Sequence, residues 1–77
     1  MIVKNMNFDI YLGIGLNILH YRKEQGMTQE QLAEKVDISR NHMQRIETAT
    51  AVSSLDTLIA IANALKIPLH KLFEFKE

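Results

Sequence analysis

Residues 28 to 47, TQEQLAEKVDISRNHMQRIE, constrain the chain more than any other stretch, because their pattern admits little besides two short helices joined by a tight turn. Thr28 with Gln31 forms a capping box, and Met27 and Leu32 stand where a hydrophobic staple closes a helix start. Leu32, Ala33 and Val36 give this first helix one apolar side. Asp37 and Ile38 leave room only for a very short connection, after which Ser39 caps a second helix by accepting a bond from an orphan backbone N–H. At about 100° per residue, Met43 and Ile46 point inward, while Arg40, Asn41, Gln44, Arg45 and Thr48 share the opposite side. That side is entirely polar. Arginine forks and side-chain amides reach guanine and adenine edges, and an amphipathic helix is narrow enough to enter a major groove.

The rest of the chain reads as support for this pair. Its 77 residues contain no low-complexity segment, so a single domain over 1–77 is expected, with a core so small that self-association would help it. Cysteine is absent, which removes disulfides and cysteine-based metal sites. The N-terminus carries no signal-peptide pattern and no apolar run of spanning length, so a soluble cytoplasmic protein without membrane contact is expected. Nine Lys plus Arg balance nine Asp plus Glu, so the strongly basic balance of many nucleic-acid binders is missing. A neutral chain can still carry a local basic face.

In residues 1–10, Ile2 and Val3 favour a strand. A helix is predicted from about Tyr11 to Gln25, with Gly13 and Gly15 weakening its first turns by up to ~1 kcal/mol each and Gly26 ending it. Tyr11, Ile14, Ile18 and Tyr21 make its core-facing stripe; Leu12, Leu16 and Leu19 make a second stripe on nearly the opposite face. Either the N-terminal segment (Ile2, Met6, Phe8) or the C-terminal one folds over that second stripe, or it is a dimer contact. After a loop over 48–53, Ser54 caps the next helix, whose buried face is read as Leu55, Leu58, Ile61, Ala62 and Leu65, with Asp56 favoured in the first turn by the helix dipole. Pro68 suits the first turn of a short last helix ending near Leu72. The tail 73–77 alternates apolar and polar, which suggests a two-stranded ribbon between Ile2–Lys4 and Phe73–Lys76.

Catalytic chemistry finds no footing. His20, His42 and His70 lie on separate segments without metal-ligand spacing, and no nucleophile has an evident base, so neither an enzyme nor a metal site is predicted. Gly13 to Gly15 lacks the third glycine and preceding strand of a nucleotide fingerprint, and no cofactor or small-molecule ligand is indicated. His42, flanking the polar face, is a candidate phosphate contact when protonated.

From Ile14 to Phe73 the chain resembles the Cro/CI-type, or XRE, helix-turn-helix family. The resemblance rests on Arg22 ahead of Gly26-Met27-Thr28-Gln29, then Gln31-Leu32-Ala33, Ile38-Ser39-Arg40, Arg45-Ile46-Glu47 and Leu55-Asp56-Thr57-Leu58, with Ile61-Ala62 and Ala64-Leu65 beyond. It implies an all-α fold, a lambda-repressor-like bundle of five helices. It also implies a bacterial or phage regulator of transcription that binds double-stranded DNA as a homodimer on a palindromic operator, with 39–48 as recognition helix.

By the same resemblance Arg40, Asn41, Gln44 and Arg45 read bases, and Gln29 binds a phosphate and braces the recognition helix. Arg22 and Glu47 form a structural ion pair, and Ala33 lets the two motif helices approach. Thr48 and Thr50 are weaker phosphate candidates. Relatives often dimerise through the last helices and tail, which adds Ile59, Leu69, Phe73 and Phe75 to the leucine stripe as dimer candidates. Repressors of phage or mobile elements, controllers of restriction-modification operons and antitoxins share this layout. The chain departs from the family pattern at Asp37 and Ala49, where glycine is usual, and in a loop that lacks Lys and Arg. Those departures, with zero net charge, motivate the alternative of an antitoxin or protein-interaction module with weak or no DNA binding.

Overall fold

The computed structural model describes the backbone of residues 4–75 and the side chains of residues 7–75. Four α-helices follow one another, α1 (Lys4–Glu24), α2 (Gln29–Lys35), α3 (Arg40–Glu47) and α4 (Leu55–Ala64), and a 3-10 helix (Leu69–Phe73) completes the described residues. Each element delivers a fully buried side chain to one centre: Ile18 from α1, Leu32 from α2, Met43 from α3, Ile61 from α4 and Leu72 from the 3-10 helix, with Leu65 at the C-cap of α4. Helices of seven and eight residues are too short to hold alone in water, so α2 and α3 depend on this shared burial and on their caps. Thr28 accepts from the Gln31 N–H while Gln31 accepts from the Thr28 N–H, and Ser39 and Ser54 accept from the N–H groups of His42 and Thr57.

All four helices close the same way. Gly26, Asp37, Ala49 and Lys66 take φ of 69°, 60°, 62° and 60°, and the following N–H reaches back across the last turn: Met27 to Arg22 O at 3.0 Å, Ile38 to Ala33 O at 3.0 Å, Thr50 to Arg45 O at 2.8 Å, Ile67 to Ala62 O at 3.0 Å. This is the Schellman closure, and only α1 supplies the glycine that enters the left-handed region without strain.

The bundle has four α-helices and a 3-10 helix among the described residues, not five helices, because the residues after Pro68 make only the tighter winding over a single short run. Helix α1 begins at Lys4 rather than near Tyr11, since no proline or glycine interrupts residues 4–12 and extending an established helix fixes one residue per bond gained. Gly13 and Gly15 are thus interior. A Cβ on Gly15 would collide with the Glu47 carbonyl oxygen, so glycine is what lets α1 lie directly against the end of α3.

The ribbon is not formed among the described residues: Lys4 is helical, Phe73 belongs to the 3-10 helix, and Glu74 and Phe75 follow it without strand pairing, while Ile2, Val3 and Lys76 lie outside the described residues. The tail lies on α1 instead. Asn17 Nδ2 donates to the carbonyls of Leu72 at 2.9 Å and Glu74 at 3.0 Å, and the Phe75 ring covers Gly13. Leu55, expected on the buried face of α4, is 59% exposed: it opens the helix, which reaches the core only from Leu58 on.

Candidate nucleic-acid interface

The geometry of the polar face is set by Glu47, the last residue of α3. Its carboxylate is buried and accepts from Arg22 Nε at 2.7 Å and Arg22 Nη2 at 3.0 Å, a fork-to-fork pair between α1 and α3. Arg22 also donates from Nη1 to the Met27 carbonyl at 2.8 Å, which ties in the turn before α2. Gln29 Nε2 donates to Glu47 Oε1 at 2.9 Å and adds the start of α2. Three helices therefore meet on one carboxylate, and α3 is fixed in azimuth relative to α2. Glutamate suits this position because a buried carboxylate needs several donors to offset its lost hydration. The family resemblance, not the hydrophobic pattern, is what marks Glu47 and Arg22 as a structural ion pair in the sequence.

With Met43, Ile46 and Glu47 turned inward, α3 presents Arg40, Asn41, Gln44 and Arg45 to solvent, all exposed. Among the described residues Arg40, Asn41 and Gln44 have no side-chain hydrogen-bond partner, so their donors and acceptors are available. Arg45 Nη2 donates to the Thr50 carbonyl at 3.2 Å, which leans its guanidinium along the loop after α3. Thr48 Oγ1 donates to Gln44 O at 3.0 Å and Thr50 Oγ1 to Arg45 O at 3.2 Å. Both hydroxyls close the end of α3, and the Thr50 and Ala51 N–H groups are spent on the Arg45 carbonyl at 2.8 and 3.2 Å. A phosphate at this loop would have to displace those bonds. His42, partly buried, flanks the face at the first turn of α3.

An open groove runs between the start of α2 and the start of α3, with Lys23, Thr28, Gln29 and Arg40 among its lining residues. Gln29 spends one amide hydrogen on Glu47 and keeps the other. Lys23 was not singled out from sequence; its place in the last turn of α1, directly ahead of the turn into α2, is the signal that could have found it. Among the described residues no group of His, Asp or Glu could hold a metal ion, and no helix is long and apolar enough to cross a membrane.

A short recognition-type helix with an exposed polar face, held on a partner helix by one buried carboxylate, defines a helix-turn-helix module. The chain belongs to the XRE-type helix-turn-helix family, DNA-binding regulators whose model, described as Helix-turn-helix, matches residues 18–72. It is similar to the immunity repressor protein of Bacillus phage phi105, 46% identical over 54 residues, which cover 70% of this chain and 38% of that protein. The chain thus spans well under half the length of that relative.

Among solved structures it resembles the restriction-modification controller protein C.AhdI from Aeromonas hydrophila, with a TM-score of 0.79 and 27% identity over 82% of this chain and 96% of that one. It also resembles SinR, the master regulator for biofilm formation, solved in complex with DNA, with a TM-score of 0.74 and 31% identity over 79% of this chain and 98% of that one.

Proposed function

We propose that the chain is a sequence-specific, double-stranded-DNA-binding transcriptional regulator that acts as a homodimer on a palindromic operator and inserts α3 into the major groove. The observation that carries this reading is the unpaired, solvent-facing set Arg40, Asn41 and Gln44 on a helix whose azimuth is fixed by the Arg22–Glu47–Gln29 cluster. Arg40 supplies a guanine-reading fork, and Asn41 and Gln44 supply adenine-reading amides, each good bidentate pair contributing ~1–3 kcal/mol of discrimination. Arg45 joins them by exchanging its Thr50 carbonyl bond for a base or phosphate. Gln29, with its free amide hydrogen at the start of α2, and His42 position the backbone. Thr48 and Thr50 serve mainly to close α3.

The homodimer reading is supported by exposed Leu55 and Ile59, one turn apart on the outer face of α4, and by exposed Phe73 beyond it. The phage repressor relative favours repression, and the controller protein shows the same fold over 82% of this chain. Binding of a selected duplex, followed by fluorescence anisotropy, tests the reading. Arg40→Ala, Asn41→Ala and Gln44→Ala should each weaken the preferred sequence while leaving random duplex nearly unchanged. Variants that leave sequence preference intact would place recognition elsewhere.

A further inference from the structure

The family match begins at residue 18, so Asp9, Leu12 and Leu16 on α1 lie outside it, while Leu19 and Lys23 at its start carry the same helix face onward. Along this outer face of α1 Asp9, Leu16 and Lys23 recur every seven residues, with Leu12 and Leu19 between them at steps of three and four. That is the a/d spacing of a short coiled-coil seam. Leu16 is 52% exposed, Leu12 and Leu19 are partly exposed, and Asp9 and Lys23 are exposed, so the seam faces solvent. Asp9, Leu12 and Leu16 also line one wall of a groove whose other wall includes Glu74 and Phe75.

We propose that this seam pairs antiparallel with the same seam of a second copy of the chain, about a two-fold axis at Leu16. The charge pattern selects this occupant. Asp9 and Lys23 lie equally far from Leu16, seven residues on either side, so an antiparallel copy sets each Asp9 against the other copy's Lys23 at both ends. Leu16 then meets Leu16, and each Leu12 comes within one residue, about 1.5 Å, of the level of the other copy's Leu19. A parallel copy would oppose like charges and gain neither end. A seam of three leucines per copy is smaller than the ~1,200 Å² of standard stable interfaces, so the pair is weak and concentration-dependent. It is a self-contact additional to any through the outer face of α4, and it does not rest on the operator reading.

The absence of cysteine makes the test direct. Leu16→Cys, oxidised in the absence of DNA, should give a covalent dimer about tenfold faster than Lys35→Cys on α2, because only the axial position brings two Cβ atoms to the ~4 Å a disulfide needs. Adding Asp9→Lys turns two attractive ends into two repulsive ones and should slow cross-linking about fivefold. Adding Lys23→Asp as well should restore the rate. All four positions are exposed, so circular dichroism of the variants should match wild type. Equal rates for Leu16→Cys and Lys35→Cys, or failure of the double reversal to restore what the single one lost, would overturn the pairing. Cross-linking through Leu55→Cys alone would also overturn it, while leaving the α4 dimer standing.

Discussion

Removing the Glu47 carboxylate should unfold much of the molecule's stability margin in one step. Domains of this kind hold roughly 0.05–0.15 kcal/mol per residue, which for 77 residues is about 4–12 kcal/mol. Glu47→Ala leaves the Arg22 guanidinium, 7% exposed, with the Met27 carbonyl as its one remaining acceptor here and strips Gln29 of its bond to α3. Breaking one partner of a buried pair costs about 3–5 kcal/mol. With a urea m-value near 1 kcal/mol/M for a chain this small, the midpoint should fall by about 3 M or more. The double variant Arg22→Leu/Glu47→Leu removes both charges together, and exchanging a buried pair for apolar volume is near neutral, so it should recover most of that loss. Urea titrations followed by far-ultraviolet circular dichroism at 25 °C read all three proteins. The reasoning fails if Glu47→Ala loses less than about 1 kcal/mol, or if the double variant is no more stable than the single one.

The two α1 glycines should part company. Gly15→Ala pushes a methyl into the backbone of Glu47 and should destabilise by about 2–3 kcal/mol, whereas Gly13→Ala meets only the Phe75 ring, gains helix propensity and should stay within ~1 kcal/mol of wild type; thermal melts of the pair decide it. Ala49→Gly should raise stability by about 0.5–1 kcal/mol, since relief of left-handed strain exceeds the chain entropy that glycine adds, and Asp37→Gly should gain less because Asp enters that region more readily. A drop in melting temperature for Ala49→Gly would contradict the closure described for α3. Thr50→Val should lower stability by about 1 kcal/mol through the lost bond to the Arg45 carbonyl, with little change in DNA affinity at fixed salt; a loss of affinity for selected and random duplex alike would restore Thr50 as a phosphate contact.

Much of the fold was legible in sequence because its signals are local. The Thr28/Gln31 box and the Ser39 and Ser54 caps fix the starts of α2, α3 and α4, and the inward residues Leu32, Met43 and Ile61 follow from helical period. What sequence misjudged was decided by contacts distant in the chain. Gly15 reads as a weak helix position until Glu47 is seen beneath it, and the alternating tail reads as a strand until Asn17 claims its carbonyls. The β preference of Ile2 and Val3 suggests a strand in residues 1–10, yet from Lys4 onward the described residues are helical. On the polar face, the exposure of Arg40, Asn41 and Gln44 follows from the 100° rule, whereas the bonds that occupy Arg45, Thr48 and Thr50 depend on how the loop after α3 folds back.

Selection of bound sequences from random duplex DNA, with the intact chain, tests the central claim most directly. The account predicts enrichment of a palindrome whose half-sites lie about one helical turn apart, ~34 Å, with guanine and adenine at the positions that change when Arg40, Asn41 or Gln44 is replaced. A pool that emerges without enrichment, or a preferred sequence indifferent to those three residues, would contradict it.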